Sequence, residues 1–406
     1  MNQKVKNQNQ FTTSNMVLGV QFLFVAFGAT VLVPLLVGID PAVALFTAGI
    51  GTLLFHIITK GMVPVFLGSS FAFIAPIIES TRLYGLPGTF SGIIAVGLVY
   101  ALVSGLVKWR GLKFIERLFP ATVVGPVIMI IGLSLAGVAI DMAKTHWLIA
   151  VISLATAIIV VVFTKGLIKL IPIFIGIIVG YLAGLLLGVI DFAPIKEADW
   201  FSLPAFTAPE LNWNAILYMI PVAVAPIIEH VGDMYAIGGV AEKNFIEKPG
   251  LHRTLLGDGI ATSLAGFFGG VPNTTYSEVT GAISLTKVTN PFILRISAVT
   301  AIVFSLIGKI SGILKTIPQA VLGGIMLLLF GLIASVGIKT LIDSKTDMTQ
   351  IRNQVIVSVV LTVGIGGAVI SWGNFSLAGI GLAAVVGILL NLALPGASKK
   401  VVTSEK

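Results

Sequence analysis

Three acidic residues stand out because each lies inside an apolar stretch of the sequence. Glu229 and Asp233 occur in PVAVAPIIEHVGDMY, and Glu278 occurs in VPNTTYSEVTG, residues 271–281. A charge at the centre of a bilayer costs about 2.5–3.5 kcal/mol or more, so an ionisable residue at that depth is a functional candidate. Glu229 and Asp233 are four residues apart and share one helix face. Two carboxylates so close in a low dielectric resist ionising together, which suits proton carriage. A structural polar pair inside a helix bundle is the alternative.

The composition of the chain shows why these acids are exceptional. Of its 406 residues, 56% are hydrophobic and only 10% are charged, and the mean hydropathy is +1.05. A soluble domain carries about 25% charged residues, whereas this sequence repeats apolar stretches of about 17–25 residues, the length that crosses a bilayer as a helix. We therefore predict an all-α polytopic membrane protein. The polar first 16 residues carry no cleavage pattern of a signal peptide, and the absence of cysteine excludes disulfides.

The apolar pattern predicts fourteen membrane-spanning segments. Their predicted bounds are 17–37, 41–60, 63–79, 87–108, 121–141, 146–164, 171–191, 214–240, 256–270, 271–287, 290–313, 318–337, 353–371 and 379–397. With the N-terminus inside, 19 of the 25 basic residues fall in inner segments and 5 in outer ones, as the positive-inside rule requires. We predict a protein of the cell inner membrane with both termini cytoplasmic. The net charge of +8 then reflects topology, and no nucleic-acid partner is expected.

The two halves of the chain carry a repeated pattern. PATVVG from Pro120 matches PQAVLG from Pro318, 198 residues later, and GIGT (49–52) has a weaker echo in GIAT (259–262). Seven segments per half is an odd number, so the second copy enters the membrane from the opposite side. Inverted repeats are typical of secondary transporters, whose binding site lies near the midplane between the copies.

Two segments at corresponding positions of the halves are interrupted by Gly and Pro. They are PVFLGSSFAFIAP (64–76) and VPNTTYSEVTG (271–281). Backbone released from a helix within a membrane is tolerated only where it is buried in protein or lines a cavity. We therefore predict that the two segments form a paired binding site. The alternative is that residues 271–281 form an extramembrane loop.

Other polar features have structural interpretations. His230 lies about 100° round the helix from Glu229 and is expected to pack, and His56 is expected to bond a carbonyl group. Asp258 is interpreted as the cap of a helix that begins near Leu256, and Asp40–Pro41 as an N-cap followed by proline. The stretch RGLKFIERLF (110–119) suits an amphipathic helix on the inner surface.

The sequence contains no set of residues that predicts an enzyme. It lacks the phosphate-binding pattern G-x-x-x-x-G-K-[ST] and any Cys/His cluster for a transition metal. We expect no catalytic residue, no cofactor and no metal. Transport would then be driven by an ion gradient, and a carboxylate pair fits protons as the coupling ion.

Six motifs resemble one transporter family. FGATVLVP (27–34), FLGSSFAFIAP (66–76), EHVGD (229–233), KPGLHRTLLGDG (248–259), PNTTYSE (272–278) and IASVGIKTLID (333–343) resemble the uracil permeases of the nucleobase–cation symporter-2, or nucleobase–ascorbate transporter, family. The resemblance covers all fourteen predicted segments.

This resemblance implies a 7+7 inverted-repeat fold with short extended strands in segments three and ten. A core domain would comprise 17–109 and 214–313, and a gate domain 110–213 and 314–397, between cytoplasmic tails at 1–16 and 398–406. It implies import of uracil by proton symport. It also implies contact with membrane lipid, and a homodimer through the gate domain.

The resemblance also implies the roles of individual residues. The substrate ring would be held by Glu229 and Glu278, with backbone contacts at Phe71 and Ser277. Proton coupling would involve Glu229, Asp233 and Glu278. The further predicted substrate contacts are Ala29, Ser70, Tyr276 and Phe330.

Three departures from the family pattern affect these implications. The family usually has Gln-His where this chain has Gln21-Phe22, and Asn where this chain has Val279. Many uracil members carry His at the position of Asp233, and our hypothesis is that Asp233 replaces it as the protonatable neighbour of Glu229. A permease for xanthine, uric acid or another nucleobase remains an alternative. An anion transporter of related fold is a further one, although it would be expected to have a basic pocket.

Overall fold

The computed structural model describes residues 12–111, 119–166, 168–372 and 375–395. The helices and strands are, in chain order, α1 (Thr13–Val37), α2 (Pro41–Ile58), β1 (Leu67–Ser69), α3 (Ile74–Arg110), α4 (Ala121–Leu133), α5 (Ala136–Lys144), α6 (Trp147–Phe163), α7 (Pro172–Leu186), α8 (Ala193–Glu197), α9 (Trp213–Met219), α10 (Val224–Ala241), α11 (Leu251–Phe267), β2 (Asn273–Thr275), α12 (Ser277–Thr286), α13 (Pro291–Ser305), α14 (Gly308–Lys315), α15 (Gln319–Asp343), α16 (Ile351–Ile365), β3 (Val369–Trp372), β4 (Phe375–Ala378) and α17 (Gly379–Ala393). Short 3₁₀ turns cover Phe71–Phe73, Ile168–Leu170 and Ile220–Ala223.

The described residues include many helices able to cross a membrane. Six helical stretches are long and apolar enough to do so, and five shorter apolar helices accompany them. The protein is therefore an all-α, multi-pass membrane protein, as predicted from its composition. The number of fourteen segments stays a prediction. The tail 398–406, most of the tail 1–16 and most of the amphipathic stretch 110–119 lie outside the described residues.

One predicted segment ends earlier than expected. The segment 353–371 was predicted as a single span, but helix α16 ends at Ile365 and β3 pairs with β4 in an antiparallel hairpin. The helix stops because Gly366 is its C-cap and Gly367 adopts a left-handed φ of 72°, a conformation that glycine takes without steric cost. The apolar VISW run that follows is a strand.

Asp40 and Asp258 were both interpreted as helix N-caps, and the structure confirms only Asp40. Asp40 caps α2 as predicted, because its side chain accepts a 2.9 Å hydrogen bond from the Ala42 N–H and Pro41 is the first helical residue. The interpretation of Asp258 as a cap is wrong. Helix α11 begins at Leu251, immediately after Gly250 with its φ of 103°, so Asp258 lies in the helix interior.

The two interrupted segments form a small sheet in the middle of the helices. Strands β1 and β2 pair antiparallel, with Leu67 opposite Thr275 and Ser69 opposite Asn273. Every residue from Val271 to Tyr276 is buried. The prediction of paired extended strands is confirmed, and the alternative of an extramembrane loop at 271–281 is contradicted by this burial.

The repeated P-x-x-V-x-G pattern has the same packing role in both halves. A Cβ at Gly125 of α4 would lie 2.7 Å from the Leu341 side chain, and one at Gly323 of α15 would collide with the backbone at Ala143. Residues 143 and 341 are 198 apart, as are 125 and 323, so each repeat packs against the corresponding position of the other. Gly337 approaches the Gly125 carbonyl in the same seam, which brings α4 and α15 together backbone to backbone.

The helices pack in two groups. In one group, α1, α2, α3, α11 and α13 pack together, and in the other α4 to α7 pack with α15, α16 and α17. The groups meet where α1 contacts α7. Helix α10 packs on α11 of the first group and also contacts α4 of the second. That the chain is divided into a core domain and a gate domain, which move relative to each other, stays a prediction.

Candidate functional site

The two strands are held by hydroxyl groups at matching positions of the halves. The Thr52 Oγ1 of α2 accepts a 2.9 Å hydrogen bond from the Leu67 N–H of β1. The Thr262 hydroxyl of α11 donates a 2.9 Å hydrogen bond to the Asn273 carbonyl of β2. Thr52 and Thr262 are the last residues of the weak GIGT/GIAT echo, so that echo marks the anchor of each strand.

The crossing of the strands is fixed by a second set of hydrogen bonds. The Ser69 hydroxyl donates to the Thr30 carbonyl at 2.9 Å, and the Tyr276 hydroxyl donates to the Ser69 carbonyl at 2.8 Å. The Ser70 N–H donates to the Pro272 carbonyl at 2.9 Å. Gly68 permits this arrangement, because a Cβ there would lie 2.5 Å from the Tyr276 ring.

Each strand leads directly into the start of a helical segment. The 3₁₀ turn that begins at Phe71 follows β1 and continues into α3, while α12 begins at Ser277 after β2. The first N–H groups of a helix lack intrahelical partners and carry the positive end of its dipole. Glu278 lies in the first turn of α12, where a carboxylate is favourable. The crossing therefore offers hydrogen-bond donors next to an acid.

A cavity of about 440 Å³ opens beside this crossing. Glu229 of α10 lines the cavity and is exposed there, and Glu278 lines it from α12. Six of the predicted site residues lie on its wall: Glu229, Glu278, Phe71, Ser277, Tyr276 and Ala29. The structure thus brings together two acids of the second half and the strand ends of both halves of the chain.

Asp233 and Ser70 lie behind the cavity wall. Asp233 accepts a 2.6 Å hydrogen bond from the Thr275 hydroxyl, and Thr275 itself lines the cavity. Ser70 is buried, and its backbone N–H is used in the strand crossing. These two residues therefore support the residues on the wall.

Phe330 is not on the cavity wall, in contrast to the prediction. It is buried in α15, and its carbonyl packs against Gly132 of α4. Successive residues of a helix point about 100° apart, and α15 instead presents Leu328, Leu329 and Leu332 to the cavity. Aliphatic side chains occupy the place at which an aromatic ring was expected.

Helix α7 also lines the cavity, which the sequence did not predict. Ile173 and Phe174 line the cavity from the first turn of that helix, and Lys169 lies at its edge. Pro172 is the first residue of α7 and marks the helix start in the sequence. No charge or repeated motif accompanies Ile173 or Phe174, so composition alone carries no signal for them.

Two histidines have partners away from the cavity. His56 Nε2 lies 3.0 Å from the Val65 carbonyl oxygen, as expected. His230 Nδ1 lies 3.2 Å from Asp258 Oδ2, and both side chains are 0% exposed. Burial of His230 agrees with its interpretation as a packing residue. The pairing also gives Asp258 a partner on α10, the helix that carries Glu229.

The lining of the cavity suits a small, flat and neutral molecule with donors and acceptors on its edge. Carboxylate oxygens of Glu229 and Glu278 accept hydrogen bonds, while N–H groups at helix starts donate them. Phe71 supplies an aromatic face, and aliphatic residues of α15 close the opposite wall.

Comparison with known proteins identifies the family to which this chain belongs. A family model described as "Permease family" matches residues 13–371. The chain is 53% identical over 403 residues to a probable uracil permease of Haemophilus influenzae, covering 97% of each chain. It is 45% identical to the uracil permease of Bacillus caldolyticus (93% of this chain, 91% of that one) and 41% identical to that of Escherichia coli K12 (92% and 90%).

Solved structures share the fold at low identity. The transmembrane domain of the cyanobacterial bicarbonate transporter BicA matches with a TM-score of 0.60 and 15% identity, over 94% of this chain and 97% of that one. The murine Slc26a9 anion transporter in its inward-facing state matches with a TM-score of 0.65 and 11% identity, over 95% and 68%. The family match and the curated relatives together establish that this chain belongs to the permease family and is a membrane permease, not an enzyme.

Proposed function

We propose that this permease imports uracil by proton symport and binds the substrate in the cavity between the two strand ends. The observation that carries the proposal is the meeting of Glu229 and Glu278 on one cavity wall, beside strand ends that come from both halves of the chain. The names of the relatives, uracil permeases at 41–53% identity, support the substrate. The protein would act in the cell inner membrane with both termini in the cytoplasm.

The chemistry of uracil fits the lining of the cavity. Its ring presents N–H donors and carbonyl acceptors along one plane. The carboxylates of Glu229 and Glu278 accept from the ring N–H groups, and backbone N–H groups near Phe71 and Ser277 donate to the ring carbonyls. The Phe71 ring stacks on the face of the base. A site that satisfies every edge discriminates strongly against an analogue that lacks one partner.

Asp233 supplies the proton-coupling partner in this proposal. It is one helical turn from Glu229 on α10 and is linked by the 2.6 Å Thr275 hydrogen bond to the strand beside the substrate. Binding of the substrate beside β2 would then change which of Glu229, Asp233 and Glu278 holds the proton, because Thr275 of β2 donates a hydrogen bond to Asp233. No cofactor is required other than the coupling proton.

The experiment that tests the proposal measures uracil binding and uptake in proteoliposomes with an imposed proton gradient. Glu229→Ala and Glu278→Ala should each lose uracil binding, and wild-type affinity in both variants would rule out the site. Asp233→Asn should retain binding but lose the pH dependence of uptake; unchanged, proton-driven uptake would end the hypothesis for Asp233. Glu242→Gln is the matched control, because Glu242 is an exposed acid at the end of the same helix.

A competition panel tests the substrate class separately. Excess unlabelled uracil should displace labelled uracil, whereas xanthine and uric acid should not. If labelled uracil does not bind and labelled xanthine or uric acid does, the substrate is a purine, although the cavity and its carboxylates keep their role.

A further inference from the structure

The surface between α1 and α7 contains a groove that the proposed transport function does not use. Its volume is about 340 Å³, and it is lined by helices α1, α7, α13 and α14 and by residue 317. We call it the seam groove and define it by Phe24, Val31, Phe174, Ile178, Leu182 and Ile313. It lies along the seam between the two helix groups.

The side chains that line the seam groove are almost all apolar. Tyr181 carries the polar side-chain atom of its lining, and the Tyr181 hydroxyl is already hydrogen-bonded to Thr316 Oγ1 at 2.8 Å. The other lining side chains are aliphatic or phenylalanine. A polar ligand would lose its hydration here without compensation, so the occupant must be apolar.

The groove opens sideways, towards the hydrocarbon of the membrane. Three of its lining residues are substantially exposed, namely Ile178 (42%), Leu182 (51%) and Ile313 (46%). Phe24 and Phe174, whose ring centroids are 5.2 Å apart, also line a second apolar groove, so this pair separates the two grooves and forms the closed end of the seam groove. Phe24 lies near the midpoint of α1, so this closed end is near the middle of the membrane.

The length of the groove matches one leaflet. From Phe174 to Leu182, helix α7 rises by about 12 Å at about 1.5 Å per residue. Half of a hydrocarbon core roughly 30 Å thick is about 15 Å. A chain that enters beside Leu182 and ends against the Phe24–Phe174 pair would therefore cross one leaflet.

We propose that the seam groove binds one acyl chain of a phospholipid from the leaflet nearest Leu182. The chain end contacts Phe174, which also lines the substrate cavity. The bound lipid thus supports the side chain that separates the cavity from the membrane interior. This assignment does not depend on the identity of the transported molecule.

Photolabelling in phosphatidylcholine vesicles tests the proposal. A phosphatidylcholine with a diazirine on the terminal carbon of one chain is mixed into the vesicles, and labelled residues are mapped by mass spectrometry after irradiation. Labelling should be several-fold higher at Phe24 and Phe174 than at Ile159. Ile159 lies on α6 outside the groove and is 54% exposed, similar to the 51% of Leu182 in the groove. A diazirine near the ester group should instead label Leu182 and Ile313.

Variants that fill the groove provide the matched comparison. Ile178→Trp should reduce terminal-carbon labelling of Phe24 and Phe174 several-fold, while Ile159→Trp should leave it unchanged. Leu182→Trp gives a second groove-filling variant if the first does not fold. Labelling that is equal at Ile159 and Phe24 in the wild type would overturn the proposal. So would labelling that persists in a folded groove-filling variant, or crosslinks showing that a second copy of the chain occupies the groove.

Discussion

Strands β1 and β2 occupy equivalent positions of the inverted repeat but contribute different chemistry. Both are three residues long, and each is anchored by a threonine hydroxyl from a neighbouring helix. The β1 side continues into Phe71–Phe73 and supplies an aromatic ring and backbone groups. The β2 side supplies Glu278, Thr275 and the Tyr276 hydroxyl. The repeat therefore preserves the scaffold in both halves, whereas the ionisable groups of the strand segments lie on one side.

The largest effect is expected from removing the acid of the β2 side. Glu278→Gln should weaken uracil binding about 10- to 150-fold, because a hydrogen bond to a charged group contributes about 1.5–3 kcal/mol. Equilibrium binding of labelled uracil to purified protein measures the change. Glu242→Gln is again the control, and an affinity of Glu278→Gln within twofold of the control would show that the β2 side is not the polar side of the site.

The second effect concerns the close contact between the two sides. Gly68→Ala should destabilise the protein by about 1–3 kcal/mol, since overpacking of this size forces a shift, and the new methyl group would lie 2.5 Å from the Tyr276 ring and 2.6 Å from Thr30 Oγ1. Thermal unfolding in detergent measures it. Gly105→Ala in α3 is the control, because nothing lies within 4 Å of its Cβ position. Equal melting temperatures for the two variants would contradict the tight crossing.

The two threonine anchors should differ in strength. Thr52→Val leaves the buried Leu67 N–H without this acceptor, which should cost about 1–2 kcal/mol. Thr262→Val removes a donor from the Asn273 carbonyl, and an under-satisfied carbonyl is tolerated better than an orphaned N–H, so about 0.5 kcal/mol is expected. Melting temperatures of the two isosteric variants give the comparison. A larger loss for Thr262→Val would reverse the assignment of the stronger anchor.

The smallest effect is expected on the aromatic side. Phe71→Leu keeps an apolar side chain but removes ring stacking, worth about 0.5–1.5 kcal/mol, so uracil affinity should fall roughly 3- to 10-fold. The same binding assay measures it, with Phe73→Leu as a neighbouring control that does not line the cavity but is buried. An effect of Phe71→Leu larger than that of Glu278→Gln would invert the contrast between the two sides.

The sequence predicted those features that Gly, Pro or a charged residue marks within an apolar stretch. The Gly and Pro residues around 64–76 and 271–281 predicted both interrupted segments, and Glu229 was conspicuous because acids are rare in apolar stretches. The pairing register of β1 and β2 could not be predicted, since three residues are too few to show a period of two. The hairpin of β3 and β4 was missed because VISW continues an apolar run.

The structure places two side chains elsewhere than the sequence predicted, in both cases where a shift of a few residues along a helix decides the position. Asp258 was interpreted as the cap of a helix that begins near Leu256, whereas helix α11 begins at Leu251, seven residues before Asp258. Phe330 was placed by analogy of motifs, whereas the helix turns about 100° per residue and presents Leu329 instead. The His230–Asp258 pair joins residues that are distant in the sequence, so only the packing of α10 on α11 shows it.

The glycine seam between α4 and α15 limits where the molecule can yield. At Gly125 and Gly337 the two main chains approach each other without an intervening side chain, so a Cβ at either position would clash with the other helix. At the other seam, in contrast, the contact is between side chains, because the rings of Phe24 and Phe174 lie between α1 and α7. If the two helix groups move relative to each other, as the resemblance implies, we expect α4 and α15 to move together and the change of contact to fall on Phe24 and Phe174.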